Sequence, residues 1–127
     1  LFRRFMMRIW EEVCRNFGYD ALGTGDSLGQ VASQTIENIR ATEYALDETL
    51  CLRPLISFDK KEIISLAEKI GIFDLAKEPD KDCCSIIDRH AKTKVTLEKI
   101  REEEKKLANY EGIINETLDQ ISTILIA

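Results

Sequence analysis

Long apolar runs are missing from this 127-residue chain. None approaches the roughly 20 consecutive apolar residues that a membrane-spanning helix needs, and Leu1-Phe2-Arg3-Arg4 lacks the apolar stretch and small-residue cleavage site of a secretory signal. Those absences point to a cytoplasmic protein with no membrane partner. Proline and glycine are scarce, 2 and 6 residues, and no repeat or low-complexity tract interrupts the chain, which argues against disorder. An excess of positive charge is missing too: 18 Lys+Arg against 23 Asp+Glu leave a net charge of −5 and a pI near 5.0. Nucleic acids are normally held by basic surfaces, so an RNA partner would need another region to hold most of it. The single histidine, His90, has no metal or triad spacing around it, and it is expected at the surface.

What is present suits one compact domain. Hydrophobic residues make up 44% of the chain and charged residues 32%, and 127 residues enclose one apolar core but hardly two. The 4 cysteines are irregularly spaced and two are neighbours, so they are thiols rather than a disulfide framework. Cys14 and Cys51 fall on a helix and a strand and are expected as small core residues. Cys83 and Cys84 fall in a polar stretch, where a thiolate is accessible and a nearby cation lowers its pKa. Incidental surface thiols are the plainer alternative.

Periodicity gives the elements. Phe2, Phe5, Met6, Ile9, Val13 and Phe17 recur at helical spacing, with Arg3, Arg4, Arg8, Glu11 and Arg15 on the other faces, and Gly18 closes the helix. Tyr19 to Thr24 is a short strand running into the turn Gly25-Asp26-Ser27. Ser27 with Gln30 three residues later looks like a capping box, so a helix is expected from about Leu28 to Tyr44. Leu50 to Leu55 is a second strand, ended by Pro54. Asp59 and Glu62 form another capping box ahead of a helix with Ile63, Ala67 and Ile70 on one stripe, stopping at Gly71. Phe73 to His90 is an irregular polar loop suited to an active site. The tail from Thr93 is helical, with a charge run from Glu98 to Lys106 expected as a solvated face. Residues 121–126 fit either a frayed helix or an edge strand.

Helix, strand, helix, strand, helix with short connections defines an α/β fold, a parallel sheet covered by helices with a helical C-terminal tail. Residues 1–92 form the α/β part and 93–127 its helical extension. Ligands of such sheets lie beyond the carboxyl ends of the strands, where Gly25–Ser27 and Ser57–Lys60 fall. A glycine turn into a helix lets a nucleotide approach the backbone, and Ser27 or Gln30 can bond to it; an ordinary strand-to-helix turn is the alternative. Ser33 and Gln34 are expected inside the helix, against the sheet. Lys60, in the first turn of its helix, puts an ammonium where unpaired N–H groups and the helix dipole already favour phosphate. A solvated lysine after an N-cap is the plain alternative.

Three segments together resemble the ThiI-type tRNA 4-thiouridine synthetases: Arg3-Arg4-Phe5-Met6-Met7-Arg8-Ile9; Thr24-Gly25-Asp26-Ser27-Leu28-Gly29-Gln30-Val31-Ala32-Ser33-Gln34-Thr35; and Arg53-Pro54-Leu55 with Asp59-Lys60 and Asp82-Cys83-Cys84. The similarity spans nearly the whole chain and weakens after about Ala91. It implies a partial PP-loop ATP pyrophosphatase fold in which ATP, with Mg2+, activates uracil O4 as an adenylate and a sulfur donor displaces AMP. Lys60 matches the family's lysine and Cys83 its sulfur-bearing cysteine, with Cys84 beside it. Gly25, Ser27, Gln30 and Arg53 are then the ATP- and substrate-binding candidates, and Arg3, Arg4 and Arg8 the RNA contacts, against the alternative of a solvated helix face.

The resemblance also implies parts that do not precede Leu1 here: an amino-terminal RNA-binding region and the S-G-G-x-D-S phosphate loop. A start at leucine suits a processed product, an excised piece or part of a longer polypeptide; without the phosphate loop this chain alone is expected to adenylate little or nothing. Its sheet should be incomplete, with an apolar edge that water penalises, which favours a homodimer. Partners are expected to include a tRNA, held mostly elsewhere, and a sulfur donor protein or sulfide. An iron–sulfur cluster, found in some branches of the family, is not supported by a chain without C-x-x-C, and no other metal site is expected. Another PP-loop tRNA thiolase and a non-catalytic binding or assembly module stay open as alternatives, and a role in thiamine synthesis goes with some members of the family.

Overall fold

Residues 1–30, 34–77, 96–124 and 126 are described by a computed structural model. The first helix, α1 (Phe2–Phe17), has no helix breaker in its sequence and stops at Gly18, whose left-handed backbone (φ 72°) returns its N–H to the Cys14 carbonyl. The chain then enters β1 (Ala21–Gly23) and, after an irregular segment, α2 (Ile36–Glu43). It returns as β2 (Leu50–Leu52), which lies parallel to β1 with Ala21 opposite Leu50, Leu22 opposite Cys51 and Gly23 opposite Leu52. Next come α3 (Lys60–Lys69), the short α4 (Phe73–Ala76), and the two tail helices α5 (Leu97–Lys105) and α6 (Tyr110–Asp119). The α/β class and the parallel pairing agree with the sequence-based expectation.

A small core holds the layers together. Met7, Cys14, Leu22, Ala45 and Cys51 are buried against one another, with Leu46 packed on them. Both cysteines predicted as core residues are therefore found there, and burial pushes the Cys51 thiol above its ordinary pKa. Helix α1 is the hub, touching α2, β1 and α6.

The buried stripe of α1 is not its most apolar one. Arg4, Met7, Glu11 and Cys14, spaced three and four apart, face inward, whereas Met6, Trp10 and Phe17 are exposed. Arg4 keeps only 2% of its surface exposed. Its guanidinium forms a two-pronged pair with Glu104 of α5, 2.7 and 3.1 Å, and donates to the Ala41 carbonyl of α2. Arg8 reaches the same carboxylate at 3.2 Å and lies 4.9 Å above the Tyr110 ring, which meets Phe5 edge-on. Glu11 Oε1 accepts the amides of Asp47, Glu48 and Thr49 at 2.8–3.3 Å, tying down the loop before β2. The solvated face expected for the arginines and for the tail charges is thus replaced, at Arg4 and Glu104, by an internal ion pair.

Several element boundaries also differ, and Phe73–Ala76 is a helical turn where an irregular loop was expected. Residues 28–30 are not helical: Gly29 has φ 76° and its N–H bonds the Gln34 carbonyl. The cap of α2 is Thr35, whose hydroxyl accepts the Asn38 amide, so Gln34 precedes the helix rather than lying inside it. The second strand ends at Leu52, ahead of Arg53 and a turn over residues 54–57. Residues 121–124 are neither helix nor strand. The capping box at Asp59 and Glu62 is present as expected, both halves made.

Candidate functional site at the strand ends

The carboxyl ends of β1 and β2 deliver Thr24, Gly25, Asp26 and Ser27 on one side and Arg53 on the other. Thr24 N–H bonds the Leu52 carbonyl at 2.9 Å and Leu28 N–H bonds the Ile56 carbonyl at 3.0 Å, so the two strand-end loops run together past the strands. Gly25 is exposed, and a Cβ built there would meet nothing within 4 Å. Its backbone is therefore open to close approach.

Asp26 is the centre of the cluster and only 3% exposed. Its carboxylate pairs with Arg3 from α1, accepts the Thr24 hydroxyl at 2.9 Å and lies 3.4 Å from Arg53 Nε. Burial works to raise the Asp26 pKa, but the hydrogen bond and charge of Arg3, the Thr24 hydroxyl and the charge of Arg53 together hold it below the ordinary carboxylate value. Asp26 is ionised at neutral pH and already neutralised by guanidinium, which leaves it unsuited to holding Mg2+. Among the described residues no group of His, Cys, Asp and Glu is placed to hold a metal ion.

Arg53 bridges the cluster to α2, its Nη1 lying 3.3 Å from Glu43 Oε1. Its side chain is 10% exposed, and Nη2 is buried without a hydrogen-bond partner. Arginine Nη2 can only donate, so this atom calls for an acceptor. That orphan and the open Gly25 backbone are the two features here that fit an anionic ligand such as a nucleotide.

The other expected site residues fall differently. Ser27 is buried, and its hydroxyl donates to the Phe58 carbonyl at 2.6 Å; it fastens the turn to the loop before α3, and its hydroxyl proton is taken by that bond. Gln30 is exposed just beyond that turn. Lys60 is the exposed first residue of α3, but Asp59 Oδ1 already accepts the Lys61 and Glu62 amides at 2.7 and 2.9 Å. The free amides expected to meet phosphate there are mostly occupied, so an anion would meet the ammonium. Cys83, Cys84 and His90 lie outside the described residues. Arg3 is drawn into the Asp26 cluster, Arg4 is shut away on Glu104, and Arg8 is shared between Glu104 and Tyr110.

Asp26 and its link to Arg3 were not singled out from the sequence. A separation of 23 positions leaves no local signal, although both stand in the segments that carried the family resemblance.

The fold and site define an α/β unit with a parallel strand pair and a cluster of polar residues beyond the strand ends. The family model described as thiamine biosynthesis protein (ThiI) matches residues 1–109, and the chain belongs to that family. A probable tRNA sulfurtransferase of Coxiella burnetii is 47% identical over 125 residues, which is 98% of this chain and 31% of that protein. Another, of Caldanaerobacter subterraneus, is 42% identical over 125 residues, covering 98% of this chain and 32% of its own. The crystal structure of a 4-thiouridine synthetase–RNA complex with bound ATP superposes with a TM-score of 0.86 at 31% identity, over 94% of this chain and 31% of that one. The chain thus spans about 31% of the length of the relatives it matches.

Proposed function

We propose that this chain forms the carboxy-terminal half of the adenylating unit of a cytoplasmic tRNA sulfurtransferase that converts a tRNA uridine to 4-thiouridine. The observation that carries the proposal is the match, over 94% of the chain, to a 4-thiouridine synthetase solved with RNA and ATP. In the proposed reaction the uridine O4 attacks the α-phosphorus of ATP, releasing pyrophosphate and leaving AMP on O4. The terminal sulfur of a persulfide on Cys83 or Cys84 then forms a bond to C4 as the C4–O bond breaks and AMP departs. A second thiol attacks the remaining S–S bond, leaving sulfur on the base and a disulfide on the protein.

Each residue's part follows from its chemistry. Lys60 supplies a compact positive charge as phosphate charge develops. Gly25 lets the nucleotide approach the backbone, with Gln30 and Arg53 as donors, while Ser27 holds the turn in place. Mg2+, which accompanies ATP in the proposed reaction, takes its ligands from outside the cluster, because Asp26 is occupied. Arg3 and Arg8 are each about one-third exposed at the side chain, 29% and 35%, and can still meet an RNA phosphate; Arg4 is buried, so its part is to anchor α5. With a net charge of −5, most of the tRNA grip lies in the rest of the polypeptide. The disulfide is reopened before the next turnover: sulfide attacks it to give a cysteine persulfide and release the second thiol, or a reductant restores both thiols and a donor protein's persulfide passes its outer sulfur to the cysteine thiolate.

The test is 4-thiouridine in tRNA from cells whose full-length enzyme carries this chain with Lys60→Ala or Cys83→Ser, Cys84→Ser being run alongside because the pair is adjacent. We expect loss of the modified nucleoside by mass spectrometry with Lys60→Ala and with one cysteine change. Its retention in all three would refute the proposal.

A further inference from the structure

We propose that Asp26 is a positioning residue for nucleotide binding: it fixes the Arg3 and Arg53 guanidiniums at the strand ends so that Arg53 Nη2 donates to a phosphate oxygen. The inference rests on the adenylating function proposed above and adds to it the group that receives the phosphate. Three observations support it.

Arg53 is held on two of its three nitrogens, Nε by Asp26 at 3.4 Å and Nη1 by Glu43 at 3.3 Å, so the plane of the fork is fixed. The third, Nη2, is buried and has no partner. A buried N–H left unpaired is costly, and an arrangement that keeps one is explained most simply by an acceptor that arrives with a ligand. Arg53 begins the loop directly after β2, and its partner Asp26 is the neighbour of Gly25, the exposed glycine whose backbone is open to close approach. This places the donor at the end of a parallel strand pair, where ligands of such sheets lie.

Arg3 and Arg53 both meet the buried carboxylate of Asp26. The other carboxylate, Glu43, is half exposed at its side chain, where solvent screens it. The Asp26 carboxylate is consumed by its partners, so its contribution to binding passes through the arginines and not through contact with the nucleotide.

The experiment uses full-length enzyme carrying this chain, with Asp26→Asn, Arg53→Gln, Arg53→Lys and the double variant Asp26→Asn/Arg53→Gln. Binding of ATP, AMP and adenosine is measured by calorimetry, and folding by circular dichroism melting. Loss of one charge-assisted hydrogen bond corresponds to about a 10- to 100-fold rise in Kd. We expect that rise for ATP and AMP in all three single variants, with adenosine unchanged and the double variant no weaker than the weaker single. Arg53→Lys keeps the charge without the planar fork and carries the test if Asp26→Asn fails to fold. Wild-type affinity for ATP in the Arg53 variants, a parallel loss of adenosine, or additive losses in the double variant would each overturn the inference. Wild-type enzyme that binds ATP and forms 4-thiouridine while the Arg53 variants bind normally refutes this inference alone; wild-type enzyme that binds no ATP refutes the proposed function with it.

Discussion

Arg4 and Glu104 show how much a single pair contributes to this chain. The two side chains are 3% and 10% exposed and meet through two hydrogen bonds, so neither charge has water to fall back on. Removing one partner of such a pair leaves a buried charge and costs about 3–5 kcal/mol, whereas an apolar replacement of both is far less costly. Arg4→Ala should therefore lower the urea midpoint steeply, and Arg4→Met/Glu104→Leu should recover most of it. The pair also sets a pH dependence. Burial alone would raise the Glu104 pKa, but the hydrogen bond and charge of Arg4, then the charge of Arg8, bring it below its ordinary 4.5. A depressed folded-state pKa gives stability that is present above about pH 4.5 and is lost as pH falls through the lower folded value. Glu104→Gln should accordingly flatten the acid limb of the stability profile below pH 4.5, and an unchanged limb would contradict this account.

At the scale of elements, caps and turns were legible and faces were not. The Asp59–Glu62 box is local, since its bonds span 2 and 3 residues, so residue type alone announces it. Asp59→Ala should cost about 1 kcal/mol by loss of the cap and, measured as melting temperature, lower it by a few degrees; Lys60→Ala, outside the capping bonds, should not. The Ser27–Gln30 pattern is the same signal misplaced. Ser27 finds a better acceptor in Phe58, 31 residues on, and Thr35 takes over the cap. Helix α1 makes the opposite point. Its apolar spacing correctly gives a helix, but the face that turns inward contains Arg4 and Glu11. Their partners stand 36 to 100 residues away, where no periodicity within α1 can register them. The strand-end site divides likewise: Gly25 and Arg53 were visible as residue types in a recognisable order, whereas Asp26 acquires a role only when α1 brings Arg3 across to it.

For the whole molecule, the unsatisfied feature is the sheet. Two strands are all that the described residues contribute, and Leu50 and Leu52 of β2 stay 60% and 51% exposed. Two-stranded sheets with apolar side chains in water are marginal and invite further pairing. The chain by itself should therefore associate, and sedimentation at micromolar concentration should show a homodimer; a monomer would count against that expectation. The same edge is consistent with a chain that spans about 31% of its relatives, whose remaining length is available to cover it. No helix among the described residues is long and apolar enough to cross a membrane.

The sequence by itself determined the main helices and strands, though not all their ends, their α/β order and the family, because each rests on composition or on spacings of a few residues. Tertiary structure alone decided which charges are buried. Arg4 lies on Glu104, Glu11 caps the loop before β2, and Asp26 gathers Arg3 and Arg53 with the Nη2 nitrogen of Arg53 left over. The physical reason is that a buried charge is tolerable only beside its partner, and the partners are brought together by the packing of distant elements.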